Sequence, residues 1–297
     1  MVEFGIHLFG QEGEQTPQEL LDQHREALRI GEGRLSSVWV SDHLESGDRP
    51  ILEGWTTLTY LAALAPSYRV GHLVIANSFR NPALLAKMAG TLQHLTNGRF
   101  VLGMGAGWRA EEYAAYDYPF PSPGTRIEQL GEAIDLIRAM WRESPATYAG
   151  RHYRITDAHS EPRPDPPPKV LIGGQGPKLM RLVAEKADMW VWDFPLDTYR
   201  VPYERLVQSC MDVGRDVSEI RMMCEADAYF PSDIADFPEP YSSGYLDFMT
   251  HPLGPTPSHA IGQLTPLVDL GVAEFIIGFW DLATLQRFVD EVVPAFR

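Results

Sequence analysis

Four short stretches of this chain carry the residue types that do chemistry. In Val38-Trp39-Val40-Ser41-Asp42-His43 a carboxylate and an imidazole stand side by side at the end of a β-branched run. Histidine changes charge nearest neutrality, so His43 can give or take a proton while hydride moves on the other side of a substrate. The plainer alternative has Asp42 capping the next turn and His43 half-exposed. In Val170-Leu171-Ile172-Gly173-Gly174-Gln175-Gly176-Pro177-Lys178 a strand passes through a glycine-rich turn into a helix begun by proline. Glycine lets backbone amides approach a ligand closely and a helix N-terminus adds partial positive charge, a combination that suits a phosphate. Lys178 and Arg181 fall on the first turns of that helix. A tight corner needing positive φ would use the same glycines.

The third stretch, Leu102-Gly103-Met104-Gly105-Ala106-Gly107-Trp108, has the look of a dinucleotide fingerprint but lies on the fourth strand, away from the start of a βαβ unit. It reads better as backbone thinned by glycine so that a flat ring packs on it, with Trp108 shaping the pocket, or else as close strand packing with a core tryptophan. The fourth runs from Gly71 through Ala76-Asn77-Ser78-Phe79-Arg80-Asn81-Pro82. Asn77 and Ser78 can hydrogen-bond the edge of a heterocycle and Arg80 offers a fixed positive charge, while Asn81 before Pro82 is a helix cap. No GxSxG, HExxH or paired-carboxylate pattern stands out, and Cys210 and Cys224 lack metal-ligand spacing, so two buried thiols and no metal are expected.

Elements that alternate along the chain must position these residues. Strand patterns fall at 3–9, 37–41, 70–76, 100–103, 169–172, 189–193, 220–228 and 275–279. Helical patterns lie between and after them at 17–30, 55–65, 82–95, 125–141, 177–187, 196–213, 257–270 and 282–292. Thr16, Pro17 and Glu19 form a capping signature for the first helix. Eight of each kind favour a closed (β/α)8 TIM barrel of the α/β class over an open doubly wound sheet. On such a barrel the active site belongs at the C-terminal ends of the strands, where all four stretches end. Insertions break the repeat near 142–168, where a hairpin precedes the proline-rich EPRPDPPP, and near 231–257, a long loop. The whole of 1–297 reads as one domain.

Composition narrows the partners. Forty acidic against 25 basic residues give a net charge of −15, which argues against nucleic acid or an anionic membrane and leaves a small-molecule substrate. No apolar run reaches the roughly 18 residues of a membrane span and the N-terminus lacks a basic leader, so a cytoplasmic protein is expected.

Taken in order, Ser41-Asp42-His43, Trp55-Thr56-Thr57-Leu58, Phe79-Arg80-Asn81-Pro82, the run from Gly98 to Trp108, and Ile172-Gly173-Gly174-Gln175-Gly176-Pro177 resemble the luciferase-like monooxygenase superfamily, most strongly its F420-dependent oxidoreductase branch. The resemblance implies a deazaflavin ring over the strand mouths, with Asp42 and His43 beside the ring and the reacting substrate. It places a non-proline cis peptide at Leu73-Val74 behind the ring and Ala76, Asn77, Ala106, Gly107 and Trp108 around it. Gly174, Gln175 and Gly176, flanked by Gly173 and Pro177, match the cofactor phosphate cradle. His43 would be the proton donor or acceptor and Asp42 would orient it or the ring. FMN is the alternative cofactor and would make a monooxygenase using O2; a flavin-binding protein without turnover is the third reading. Trp108 stands where some sugar-phosphate dehydrogenases of the branch carry an acid, and Asp193-Phe194-Pro195 lacks their phosphate-binding lysine, so a more apolar substrate is expected. Relatives often pair through barrel helices, which implies a homodimer.

Overall fold

A computed structural model describes residues 2–8, 16–47, 50–237 and 252–297. Its barrel strands are β1 (Glu3–Leu8), β2 (Ser37–Val40), β3 (Arg69–His72) with its continuation β4 (Ile75–Ala76), β5 (Phe100–Gly105), β8 (Lys169–Gly173), β9 (Met189–Asp193), β10 (Arg221–Ala228) and β11 (Glu274–Phe279). All pair in parallel, and the contact of β3 with β5 closes the ring. The expected (β/α)8 barrel is thus the observed one. The run at 70–76, read as one strand, is two: pairing stops at Leu73 and Val74, whose peptide bond is cis.

The helices begin where the sequence signals them. Thr16 and Glu19 form the capping box of α1 (Pro17–Gly31), and Asn81 caps α3 (Pro82–Leu95) through its side chain. Ser122 and Thr256 likewise cap α5 (Pro123–Arg142) and α8 (Pro257–Asp269). Each of these helices has proline in its first turn, where the missing amide costs no hydrogen bond. The remaining outer helices are α2 (Gly54–Leu64), α6 (Pro177–Lys186), α7 (Leu196–Val213) and α9 (Leu282–Arg287), with a short α4 (Ala110–Ala115) that the sequence pattern did not reveal. The last predicted helix, at 282–292, keeps α-helical form only to Arg287 and goes on as a π turn to Val292. Among the described residues no helix is long and apolar enough to cross a membrane.

The insertion near 142–168 forms the expected hairpin, β6 (Ala146–Ala149) against β7 (Arg154–Ala158). The Glu132 carboxylate of α5 holds its turn by accepting from the amides of Arg151 (2.9 Å), His152 (2.8 Å) and Tyr153 (3.2 Å). Of the loop expected near 231–257, residues 238–251 lie outside the described ones. Cys210 and Cys224 are free, buried thiols.

Alternate residues of each strand face the barrel axis, so the interior fills in layers. At the N-terminal end Glu274, fully buried, accepts from Ser37 Oγ (2.6 Å) and pairs with Arg69 and with Arg221 Nε (3.1 Å). Both arginines also reach Glu3, each at 3.0 Å. Above this plug lies an apolar layer of Trp39, Val101, Leu171, Met189, Met223 and Ile276. Trp39 needs Gly71 beside it, because a Cβ there would stand 2.4 Å from the indole ring. Truncating a buried carboxylate shared by two arginines leaves their charge uncompensated, so Glu274→Ala is expected to lose about 3–5 kcal/mol of stability in urea unfolding. A loss under about 1 kcal/mol would show that the plug does not hold the barrel floor.

Candidate functional site

Above the apolar layer the barrel empties into a cavity of about 840 Å³ at the C-terminal ends of the strands. Its two halves differ in chemistry.

One half is built by β3, β4, β5 and β8. The inward positions of β5 and β8 at this level are Gly105 and Gly173, and Val74, beyond the cis bond, fits between them. A Cβ at Gly105 would lie 2.7 Å from Val74 Cγ2, and one at Gly173 would lie 3.0 Å from Cγ1. The result is a flat apolar floor to which Leu73, Val74, Ala76 and Ala106 also contribute. Gly107 follows at φ +76°, and a Cβ there would run into the Tyr113 hydroxyl at 1.9 Å, so the position demands glycine twice over. Gly173, Gly174 and Gln175 line the edge of the floor. Gly174 takes φ +120° and Gly176, at φ +103°, is the N-cap of α6, which has no side-chain cap. The first amides of α6 therefore have no intrahelical acceptor and face the turn. Gly176 and Pro177 shape this helix start but are not among the residues lining the cavity.

His43 and Trp108 lie at the rim, edge to face with ring centroids 5.8 Å apart, and Trp108 is 53% exposed. His43 Nδ1 bonds to Glu112 at 3.0 and 3.1 Å from its two carboxylate oxygens. Glu112 is buried and also accepts from the Leu44 amide at 3.2 Å and from Arg109 at 3.5 Å. In the sequence Glu111 and Glu112 stand only as acids a few residues beyond Trp108, and nothing local gives Glu112 a role beside His43. Its signal was weak because its helix is six residues long and its partner lies 69 positions away.

Other expectations are corrected. Asp42 lines the cavity but does not bond to His43: Arg80 grips its carboxylate at 2.7 and 2.8 Å, and the Ala76 amide donates to it at 3.2 Å. Burial pushes the Asp42 carboxyl up, while Arg80 and that amide act against the shift. Arg80 is spent on this pair and on Glu53 (2.6 Å) and is not offered to a ligand. Asn77 is buried outside the cavity, its Nδ2 donating to the Tyr153 hydroxyl of the hairpin at 3.1 Å, and Ser78 does not line the cavity either. The backbone after β4 curls into a single 3-10 turn over Asn77–Phe79, which sets the Asn77 amide against Tyr153.

The second half, on β1, β9 and β10, is acidic. His7 bridges Ser41 Oγ (2.8 Å from Nε2) and Glu225 (2.8 Å from Nδ1). Glu225 is level with Asp193 on the neighbouring strand, and Asp227 lies one inward position higher. Burial, then repulsion from Glu225 and Asp227, pushes the Asp193 carboxyl up to about 8; burial and Glu225 push Asp227 up to about 7. Only Asp193 stands out in the sequence, for lacking a lysine; one acid at each of three inward positions leaves no local pattern that joins it to Glu225 and Asp227.

A profile of the luciferase-like monooxygenase family matches residues 2–266. The F420-dependent glucose-6-phosphate dehydrogenase of Amycolatopsis mediterranei is 32% identical over 59% of this chain, a match that spans about half (53%) of that relative's length. The enzyme of the same name from Kribbella flavida is 31% identical across 95% of both chains. In three dimensions the chain superposes on an F420-dependent secondary alcohol dehydrogenase, solved with an F420-acetone adduct, with a TM-score of 0.82 at 18% identity, over 100% of this chain and 99% of that one.

The acidic wall has a consequence for stability. Unfolded Asp titrates near 4, so between about pH 4 and the raised values of about 7 and 8 the folded state holds protons that the unfolded chain has released. Stability from these groups therefore falls as pH rises through that window. Asp193→Asn with Asp227→Asn is expected to gain in Tm relative to the parent on going from pH 5 to pH 8.5, by a few °C. A difference that stays constant with pH would refute the raised carboxyls.

Proposed function

The chain belongs to the luciferase-like monooxygenase family, and on that footing we propose that it is an F420-dependent oxidoreductase moving hydride between the deazaflavin and a small organic substrate with an apolar body. The observation that carries the reading is the His43–Glu112 pair at the rim of the cavity. A carboxylate accepting from Nδ1–H fixes the tautomer, so Nε2 is the nitrogen left to take a proton when the ring is neutral and to give one when it is charged. Glu112 can hold that orientation because three further donors, the amides of Leu44 and Glu45 and the Arg109 guanidinium, fix its own carboxylate.

The residues present fit the proposed cofactor. The floor of Leu73, Val74, Ala76 and Ala106, with glycine at 105 and 173, accommodates a flat ring, since side chains at those glycines would collide with Val74. With the Gly174 amide held by the Val191 carbonyl at 3.4 Å, it is the uncapped start of α6, after Gln175, that offers backbone amides to a phosphate. When bound, a deazaflavin supplies hydride transfer without ready reaction with O2, whereas FMN on the same floor would open oxygen chemistry. The protein's own share is to exclude water with the apolar floor, to position the substrate near His43 and to move one proton at Nε2.

Parallel fluorescence titrations with F420 and FMN test the cofactor; tight FMN binding with F420 ignored would overturn the preference. His43→Ala is expected to keep its F420 affinity and to lose roughly 10²–10⁴ in kcat. Glu112→Gln should lower kcat and displace its pH profile while the cofactor Kd stays in place. Unchanged turnover in His43→Ala would remove that residue from the mechanism, and cofactor binding without turnover of any substrate would leave only a binding protein.

A further inference from the structure

We propose that the acidic half of the cavity, Asp193, Glu225 and Asp227, is a recognition site for a protonated amine carried by the substrate. The inference rests on the reading of this cavity as the active site and names the head group of the molecule that enters it.

Carboxylates withdrawn part-way from water are costly to keep charged unless a cation or several donors face them. Of the three, Glu225 has its partner in His7. The carboxylates of Asp193 and Asp227, half-buried, line the cavity and make no hydrogen bond or ion pair with any described residue, though His7 attracts Asp227 at longer range. Room for a ligand exists beside them. On the strand next to β10, Asp227 is level with Gly278, and so is His7 from the other side, so no side chain of β11 stands between. Among the described residues, the two arginines that line the cavity are engaged elsewhere. Arg109 donates to the Glu45 carbonyl at 3.0 Å, and Arg126 donates to the Pro121 carbonyl at 2.5 Å and lies over the Phe120 ring.

The neighbouring surface selects the kind of cation. Phe194, directly after Asp193, and Phe279 and Trp280, at the end of β11, line the same cavity. Aromatic faces beside carboxylates bind organic ammonium groups well. Among the described residues no set of three or more His, Cys, Asp and Glu side chains is placed to hold a metal ion. A phosphate or carboxylate head group would gain no cation from these carboxyls, and its place is the glycine turn at the start of α6.

Proton linkage follows from the groups that face one another across this wall: Asp193 from β9, Glu225 and Asp227 from β10 and His7 from β1, with Asp281 lining the cavity just beyond β11 and committed to capping α9. With Asp193 raised to about 8 and Asp227 to about 7, protons still reside on the wall near neutrality, and an ammonium ion displaces them. Binding is therefore expected to release protons and to weaken as pH falls through 7.

The test is calorimetry on the full chain at pH 8, with and without saturating F420, using benzylammonium and its neutral near-isostere benzyl alcohol. Benzylammonium is expected to bind at least tenfold tighter, with a heat that varies with buffer ionisation enthalpy, and the preference should shrink at pH 6. In Asp193→Asn with Asp227→Asn, and in Asp227→Asn alone should the double variant fold poorly, the preference is expected to vanish while benzyl alcohol binds as before. Equal affinities for the two probes in the parent, or a preference that survives both variants, would overturn the proposal. So would loss of F420 or FMN affinity in the variants with no amine preference in the parent, which would place the wall under the cofactor. An amine preference in a protein that ignores F420 would instead sink the hydride-transfer reading and leave this one standing.

Discussion

A closed barrel of eight parallel strands has an interior that side chains must fill, and each strand contributes only at alternate positions. That constraint organises this protein. Low in the barrel the inward positions carry a charged plug around Glu274 and then large apolar groups centred on Trp39. Higher up they carry Gly105, Gly173 and, by register with His7 and Asp227, Gly278, and the interior opens into a cavity. The lower layers supply the burial that stabilises the closed sheet, while the upper layer gives up packing to admit a ligand. Glycine at those positions stabilises nothing by itself and is tolerable because the floor beneath is tightly closed.

The same alternation divides the cavity by charge. Strands β5 and β8 present glycine and let the cis-linked Leu73–Val74 segment form an apolar floor. Strands β9 and β10 present carboxylates at the corresponding heights, with His7 of β1 as the facing base. In a chain with a net charge of −15 an acidic wall is no surprise by composition, but its place inside the barrel is. Two of its members are raised toward or beyond neutrality, which is how groups behave when their environment lacks a partner for their charge.

Much of this was legible in the sequence because it is written locally. Proline at first helical turns, Asn81 before Pro82, the Thr16–Glu19 box and the glycine turn at 173–176 each specify backbone form within a few residues. The barrel follows from repeating them. What was not legible depends on register and on partners far apart in the chain. The run at 70–76 is β-branched enough to read as one strand, and its break appears only where Val74 must fit between glycines of two other strands. His43 with Glu112, and His7 with Glu225, join residues no local pattern links. Asn77 reads as a ligand-binding amide until the turn after β4 points it at Tyr153.

The grip of Arg80 on Asp42 bears on the neighbouring histidine. One guanidinium ties the end of β2, through Asp42, to Glu53 at the start of α2, and it lies over the Trp55 ring at 5.9 Å. The backbone that carries His43 is thus fastened one residue before the imidazole, and Glu112 fastens the ring itself. The acid–base group is preorganised: little conformational entropy remains to be lost when substrate arrives, and the orientation needed for proton transfer exists before there is anything to protonate.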